Sequence, residues 1–344
     1  MKRSKIFFIK VFLVFLFLLN AGSAAQNLGT IEGKAVDSKT GEPLAFVSVF
    51  LSQTTIGSTT DLNGLFKIGK VPKGTYILVA SIVGYDAGTL EVEVKDSMTI
   101  SADFRLQRSI YQFSQITVRD EVPDKWFDQL ELFKKFLLGK NEFAASCVIK
   151  NPYQIDFKEG DSEFTATARE PIILLNNALG YKINCTLTSF SYNKNTRVLK
   201  FSIYPAFEEM KTASADSAEE FIKNRNNAYS GSLAQLLSLL TANNYKFRDY
   251  GFELNTSNGL VIKADEIVER DSVDNQYFLN VDGCLKVKYW NEGKKNLSTI
   301  CLNHKRAEFD PAGYFYNPDD FYLFGSMATE GIATMLPRFW EEQK

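Results

Sequence analysis

The chain has 344 residues, 45% hydrophobic and 13% aromatic, which is enough for about two domains with real cores and too apolar for wholesale disorder. Its formal net charge is −2, but four of its 39 basic residues, Lys2, Arg3, Lys5 and Lys10, fall in the first segment. The 35 that remain face 41 acidic residues, a balance of about −6 that argues against a general binder of nucleic acid or anionic membrane.

The first segment runs basic from Met1 to Lys10, purely apolar from Val11 to Leu19, and then small through Ala21-Gly22-Ser23-Ala24-Ala25. That order is the pattern of a secretory signal peptide spanning 1–25, with cleavage expected after Ala25 and Gln26 as the new first residue. The apolar run is short for a bilayer span, and no cysteine follows it for lipid attachment. No later stretch is long and apolar enough to cross a membrane, so the mature chain is expected without a transmembrane span, in the periplasm or at the outer membrane.

From Gly29 to Leu106 short β-type runs alternate with turn signals, the spacing of a sandwich of about seven strands. The runs are Ile31–Val36, Ala45–Leu51, Leu65–Ile68, Tyr76–Val83, Leu90–Val94 and Met98–Leu106. Asp61-x-Asn63-Gly64 between them is read as a tight turn rather than a calcium loop. A calcium site needs several oxygen ligands, and Leu65, Phe66 and Ile68 follow instead.

These residues also carry a resemblance. Ile31-x-Gly33-x-Ala35-Val36-Asp37 and Thr40-Gly41-Glu42-Pro43-Leu44 resemble the start of a carboxypeptidase-regulatory-like domain. Thr60-Asp61-x-Asn63-Gly64-x-Phe66, Pro72-x-Gly74-x-Tyr76 and Gly84-Tyr85 continue the likeness in order. It implies a transthyretin-like, Greek-key β-sandwich of immunoglobulin type over 26–106. In that family the domain accompanies metallocarboxypeptidases and, in Bacteroidota, precedes the plug and barrel of outer-membrane receptors. The remaining chain is too short for such a barrel, so the resemblance implies a fold and a compartment rather than a peptidase.

Residues 107–124 read as a connector with a strand at Gln115–Val118. Residues 125–344 read as an α+β domain of unknown function. Trp126–Leu138 has helical spacing and stops at Gly139. Strands are expected at Phe143–Ile149, Tyr153–Phe157, Phe164–Ala168, Tyr181–Phe190 and Arg197–Tyr204. A helical section follows over Ala215–Leu240, broken near Tyr229-Ser230-Gly231-Ser232. Further strands are expected at Leu260–Val268, Gln276–Val281, Cys284–Trp290 and Leu297–Leu302, and a short helix at Ser326–Met335. Phe136-Leu137-Leu138-Gly139, Leu179-Gly180-Tyr181 and Tyr229-Ser230-Gly231-Ser232 are similar to phrases of uncharacterised Bacteroidota envelope proteins, and no activity comes with that likeness.

All 4 cysteines, Cys147, Cys185, Cys284 and Cys301, lie in this second region. Cys284 stands eight residues before Glu292 and Cys301 eight after Gly293. With Glu292-Gly293 as a two-residue hairpin loop, the two face each other in a non-hydrogen-bonded pair at a Cα separation of about 4.5 Å, within disulfide reach. The same register puts Leu285, Val287, Tyr289, Ile300 and Leu302 on one apolar face. Cys147 and Cys185 sit on apolar strand faces, and the residues leave open a second disulfide or two buried thiols.

The chain has 1 histidine, His304, whereas a metallocarboxypeptidase site takes two His and a Glu around zinc. No Gly-x-Ser-x-Gly elbow, phosphate loop or dinucleotide fingerprint is present. Ser191-x-x-Lys194 has the spacing of penicillin-binding enzymes, but it runs into a turn between strands, where the lysine points away. No catalytic residue, metal ligand or cofactor site is assigned. The densest aromatic stretch, Gly313 to Phe324, is expected to pack the last helix onto the sheet. Its alternative is a sugar- or peptide-stacking loop with Tyr314, Tyr316, Phe321 and Tyr322 as contacts. The expected function is non-catalytic: an exported envelope protein that binds or scaffolds a ligand or an outer-membrane partner. The alternative is a hydrolase of envelope peptides or glycans acting through the second domain.

Overall fold

The structure, a computed structural model, describes residues 28–109, 123–212, 214–241, 248–271, 276–291, 293–315 and 320–342. The expected signal segment, the strand expected at Gln115–Val118, the hairpin residue Glu292 and Tyr316 lie outside them.

The first eight strands form a two-layer sandwich. They are β1 (Gly29–Asp37), β2 (Ser48–Leu51), β3 (Gly57–Thr59), β4 (Leu65–Val71), β5 (Gly74–Ser81), β6 (Gly88–Val94), β7 (Thr99–Ser101) and β8 (Phe104–Leu106). One sheet has the order β4-β1-β7 with β8 also on β1, and the other β3-β2-β5-β6. Period-two alternation turns Tyr76, Leu78 and Ala80 of β5 inward against Ile31, Ile68 and Phe104 of the facing sheet. The run expected as one strand over Met98–Leu106 divides in two. Ala102 donates its N–H to the Glu32 carbonyl at 2.9 Å, and the chain steps along β1 there. Gly33 permits that step, because a Cβ on it would overlap the Ala102 carbonyl oxygen. Asp61–Gly64 is a turn, with the Asp61 carboxylate accepting the N–H groups of Asn63 and Leu65 at 2.8 Å each.

The next section holds helix α1 (Asp124–Leu138), strands β9 (Cys147–Ile149), β10 (Ile155–Glu159), β11 (Glu163–Ala168), β12 (Ile172–Asn176), β13 (Tyr181–Asn193) and β14 (Val198–Glu209), and helices α2 (Ala215–Tyr229) and α3 (Leu233–Thr241). The strands make one six-stranded sheet. Along β13, β14 pairs over the whole length of one edge, while β12 and β11 share the other. Helix α1 presses Phe133 and Leu137 into that sheet, with the Phe133 ring 4.9 Å from Phe190. Trp126 donates its indole N–H to the Ile155 carbonyl at 3.1 Å.

The last strands are β15 (Phe252–Asn255), β16 (Val268–Asp271), β17 (Gln276–Asn280), β18 (Cys284–Asn291), β19 (Lys294–Leu302), β20 (Arg306–Phe309) and β21 (Phe321–Gly325). A sheet β15-β18-β19-β21 and a sheet β16-β17-β20 enclose a third core with Leu236, Leu237 and Leu240 of α3.

Three expectations fail here for one kind of reason. Ser326–Met335 is no helix beyond a single 3-10 turn at Ser326–Thr329. Its backbone instead closes the end of α1: Ile332 donates to the Leu137 carbonyl at 3.0 Å and Lys140 to that of Thr329 at 2.9 Å. The aromatic stretch contains strand β21, paired along β19, so no C-terminal helix is there for it to anchor. Over Leu260–Val268 only Val261 bridges, to Asn255, before a 3-10 turn at Ala264–Glu266.

Candidate functional site

The register of β18 and β19 pairs Cys284 with Cys301, and the two form a disulfide with Cα atoms 4.1 Å apart. Leu285, Val287, Tyr289 and Ile300 point into the core as that register requires. Cys147 and Cys185 are free thiols. Cys147 of β9 lies opposite Asn176 of β12, and Cys185 of β13 opposite Ile172, so a whole strand separates them. Strands two apart stand about 9.5 Å from each other, beyond disulfide reach. Burial pushes both thiols up to about 12, which leaves them protonated and unreactive.

His304 lies in the exposed turn between β19 and β20. Ser191 is on β13, and Lys194 is engaged elsewhere: its ammonium meets Glu159 at 2.8 Å and the Gly160 carbonyl at 3.0 Å. Lys194, first among the causes, holds the Glu159 carboxyl down to about 2. Among the described residues no group of three His, Cys, Asp or Glu side chains is placed to hold a metal ion.

The four aromatic contacts expected from the sequence part company. Tyr314 is tied inward, its hydroxyl donating to the Leu336 carbonyl at 2.8 Å, and burial raises its pKa. The Phe321 ring lies tilted against Phe315 with centroids 4.1 Å apart, toward the third core. Tyr322 alone of the three described is exposed. It joins a surface that sequence reasoning missed. Residues opposite Cys284, Lys286, Lys288 and Trp290 of β18 are Cys301, Thr299, Leu297 and Lys295 of β19, and beyond them come Tyr322 and Phe324 of β21. This outer sheet face carries Trp290, Leu297, Tyr322 and Phe324, which are 41, 55, 43 and 55% exposed. Lys295 stands 5.7 Å from the Trp290 ring, and Lys288 pairs with Glu253 at 2.5 Å. The signal was available in principle: a register that turns Tyr289 inward must turn Trp290 outward.

One cleft lies where the three cores meet, and a smaller one lies between the second and third. The larger, about 490 Å³, is walled by Lys73–Thr75 and Glu93 of the sandwich, by Tyr229 and Ser238 of the helices, by Tyr250, and by the tail Arg338–Glu342. Arg338 is its structural pivot. The side chain is 8% exposed, pairs with Asp310, and lies 4.9 Å over the Tyr76 ring, while its backbone N–H donates to the Gln53 carbonyl at 2.6 Å. Burial pulls the guanidinium down to about 10, still charged at neutral pH, and the Asp310 carboxylate favours that charge. Gln53 and Thr54 also engage Pro205 and Phe207 of β14, at 2.7 and 2.9 Å, which docks the sandwich on the six-stranded sheet.

The smaller cleft, about 240 Å³, is lined by Glu142, Phe143, Ser230, Tyr289, Ser298 and Glu330, among others. Glu330 accepts the Leu233 N–H at 3.2 Å, and enclosure pushes its carboxyl up to about 8. Among the described residues no basic side chain lines this cleft.

Residues 31–118 match the family model of the CarboxypepD_reg-like domain. No curated protein matches the chain. Among solved structures, a group B streptococcus pilus 2b backbone protein is 18% identical with a TM-score of 0.21, the match covering 24% of this chain and 42% of that one. A DUF3823 family protein from Parabacteroides merdae is 10% identical with a TM-score of 0.20, covering 52% and 80%. The major pilin subunit of Bacillus cereus is 13% identical with a TM-score of 0.21, covering 81% and 94%. At such scores no function is carried over from them.

Proposed function

We propose that this chain, whose residues 31–118 match the CarboxypepD_reg-like domain, is an exported envelope protein that works by binding. In this reading 1–25 is a signal peptide, 26–106 the sandwich, 107–124 a connector and 125–344 the binding domain. The observation that carries it is the outer face of the β15-β18-β19-β21 sheet, where Trp290, Leu297, Tyr322 and Phe324 stand exposed together. Exposed apolar patches of this kind mark interaction sites, and the Cys284–Cys301 disulfide on the same face fits an oxidising compartment. The partner is an envelope protein, most simply one of the outer membrane, with an apolar surface that accepts Lys286 and Lys295 at its rim. Photo-crosslinking from position 324 in intact cells tests this. Reproducible crosslinks to one envelope protein, lost in Trp290→Ala, support the reading; a chain that captures nothing from that face overturns it.

Hydrolysis stays as a second reading because of the smaller cleft. Glu330, raised to about 8, and Glu142 both line that cavity, so one carboxyl there is protonated at neutral pH and a second is at hand in the same wall. Turnover of envelope peptides or glycans that disappears in Glu330→Gln would favour it over binding.

A further inference from the structure

Independently of the exposed sheet face, we infer that the larger cleft is a binding site for a neutral oligosaccharide. Its walls combine four aromatic rings, Tyr229, Tyr250, Phe339 and Trp340, around about 490 Å³, space for a ligand of two or three sugar rings. Tyr229 and Trp340 stand 5.2 Å apart, edge to face, so the indole is held in place before any ligand arrives. Phe339 is kept at φ 68°, a left-handed backbone that a bulky residue seldom adopts, and remains 44% exposed.

The chemistry of the ligand follows from what the cleft leaves unmet. Arg338 Nε and Trp340 Nε1 are buried N–H donors with no acceptor, and both residues line the cleft. Unmade buried donors are rare because they are costly, and an acceptor that meets them when the two side chains turn toward the cleft relieves them. The ligand must therefore accept hydrogen bonds. It should not be an anion: Asp310 already neutralises Arg338, Lys95 pairs with Glu93, and Glu341 and Glu342 outnumber Lys73 on the remaining wall. Those carboxylates are acceptors, suited to hydroxyl donors. A neutral ligand whose hydroxyls both accept and donate, and whose C–H faces lie flat on aromatic rings, is a carbohydrate. An extended peptide can meet the same donors through its carbonyls, and the peptide arm of the titration below is what separates it from a sugar.

Titration of the full chain with cellobiose, maltose and chitobiose and their tetrasaccharides, followed by tryptophan fluorescence and calorimetry, tests the assignment. Saturable binding by at least one of them is expected. Trp340→Phe keeps the ring packed on Tyr229 but removes the donor, and should weaken binding roughly 5- to 20-fold. Tyr250→Ala should weaken it comparably through lost stacking. Phe324→Ala, on the far sheet face, should leave sugar binding unchanged, which separates this site from the proposed partner surface. Failure of the whole panel to bind, affinity unchanged in both cleft variants, or preference for a lysine-rich or glutamate-rich peptide over every sugar would overturn the inference.

Discussion

The guanidinium of Arg338 lies 4.9 Å over the ring of Tyr76, so a side chain of the C-terminal tail packs onto a core residue of the N-terminal sandwich. Asp310 holds the other side of the same guanidinium. One buried cation thus bears on two of the cores at once, and the backbone of Arg338 reinforces the contact through Gln53.

Arg338→Ala should therefore destabilise the whole chain, because it leaves the Asp310 carboxylate, itself 2% exposed, without its counter-charge and with the Tyr314 N–H as its remaining side-chain contact. Breaking a buried pair by removing one member costs about 3–5 kcal/mol. Chemical denaturation should show a lowered midpoint, with hydrogen exchange faster on both sides of the sandwich junction. Arg338→Lys should recover only part of the loss, since an ammonium lacks the planar fork and the ring stacking. An unchanged midpoint in Arg338→Ala would contradict the role assigned to the pair.

Thiol labelling separates the two cysteine pairs. Denatured but unreduced protein should expose two reactive thiols, Cys147 and Cys185, and reduction should raise the count to four. The native protein should label hardly at all, because burial holds both thiols protonated. Replacing Cys284 and Cys301 together by alanine should cost about 2–3 kcal/mol, the scale for closing a loop of this length. Four reactive thiols before reduction would refute the bridge.

Glu330 predicts a pH slope. Its folded carboxyl titrates near 8 against 4.5 for the ordinary group, so the folded state holds a proton that the unfolded state has lost. Stability from this group is fully present below about pH 4.5 and is lost as pH rises through 8. Because the side chain is half-buried, the loss should be on the order of 1–2 kcal/mol. Urea denaturation at pH 5 and pH 8 should show the slope in the wild type and a flattened one in Glu330→Gln. Identical slopes would remove Glu330 as the cause.

The proposed export makes a covalent prediction. The protein isolated from its native envelope should begin at Gln26, read by intact mass and N-terminal peptide mapping. A chain that keeps Met1 in that fraction would end the signal-peptide reading.

The Cys284–Cys301 bridge and the inward face of the last hairpin were readable in the residues, since a two-residue turn and period-two side chains fix a register by counting. The strands of the sandwich were readable because each turn between them has its own residue signature, whereas the pairing of β1 with β4, β7 and β8 was not local. Helix α1 was legible from apolar spacing and the glycine that stops it. Other features depended on partners far along the chain. Ser326–Met335 has helical spacing, yet its N–H and C=O groups are drawn to the end of α1, and those tertiary bonds decide its conformation. Phe321 and Tyr322 look alike as a sequence of aromatics, but pairing with β19 sends one inward and the other to solvent. The cleft is the extreme case. Arg338, Trp340 and Tyr250 belong to no local pattern, and only the meeting of separately built cores brings them together, because the free energy that places them comes from burial across the junction rather than from neighbouring residues.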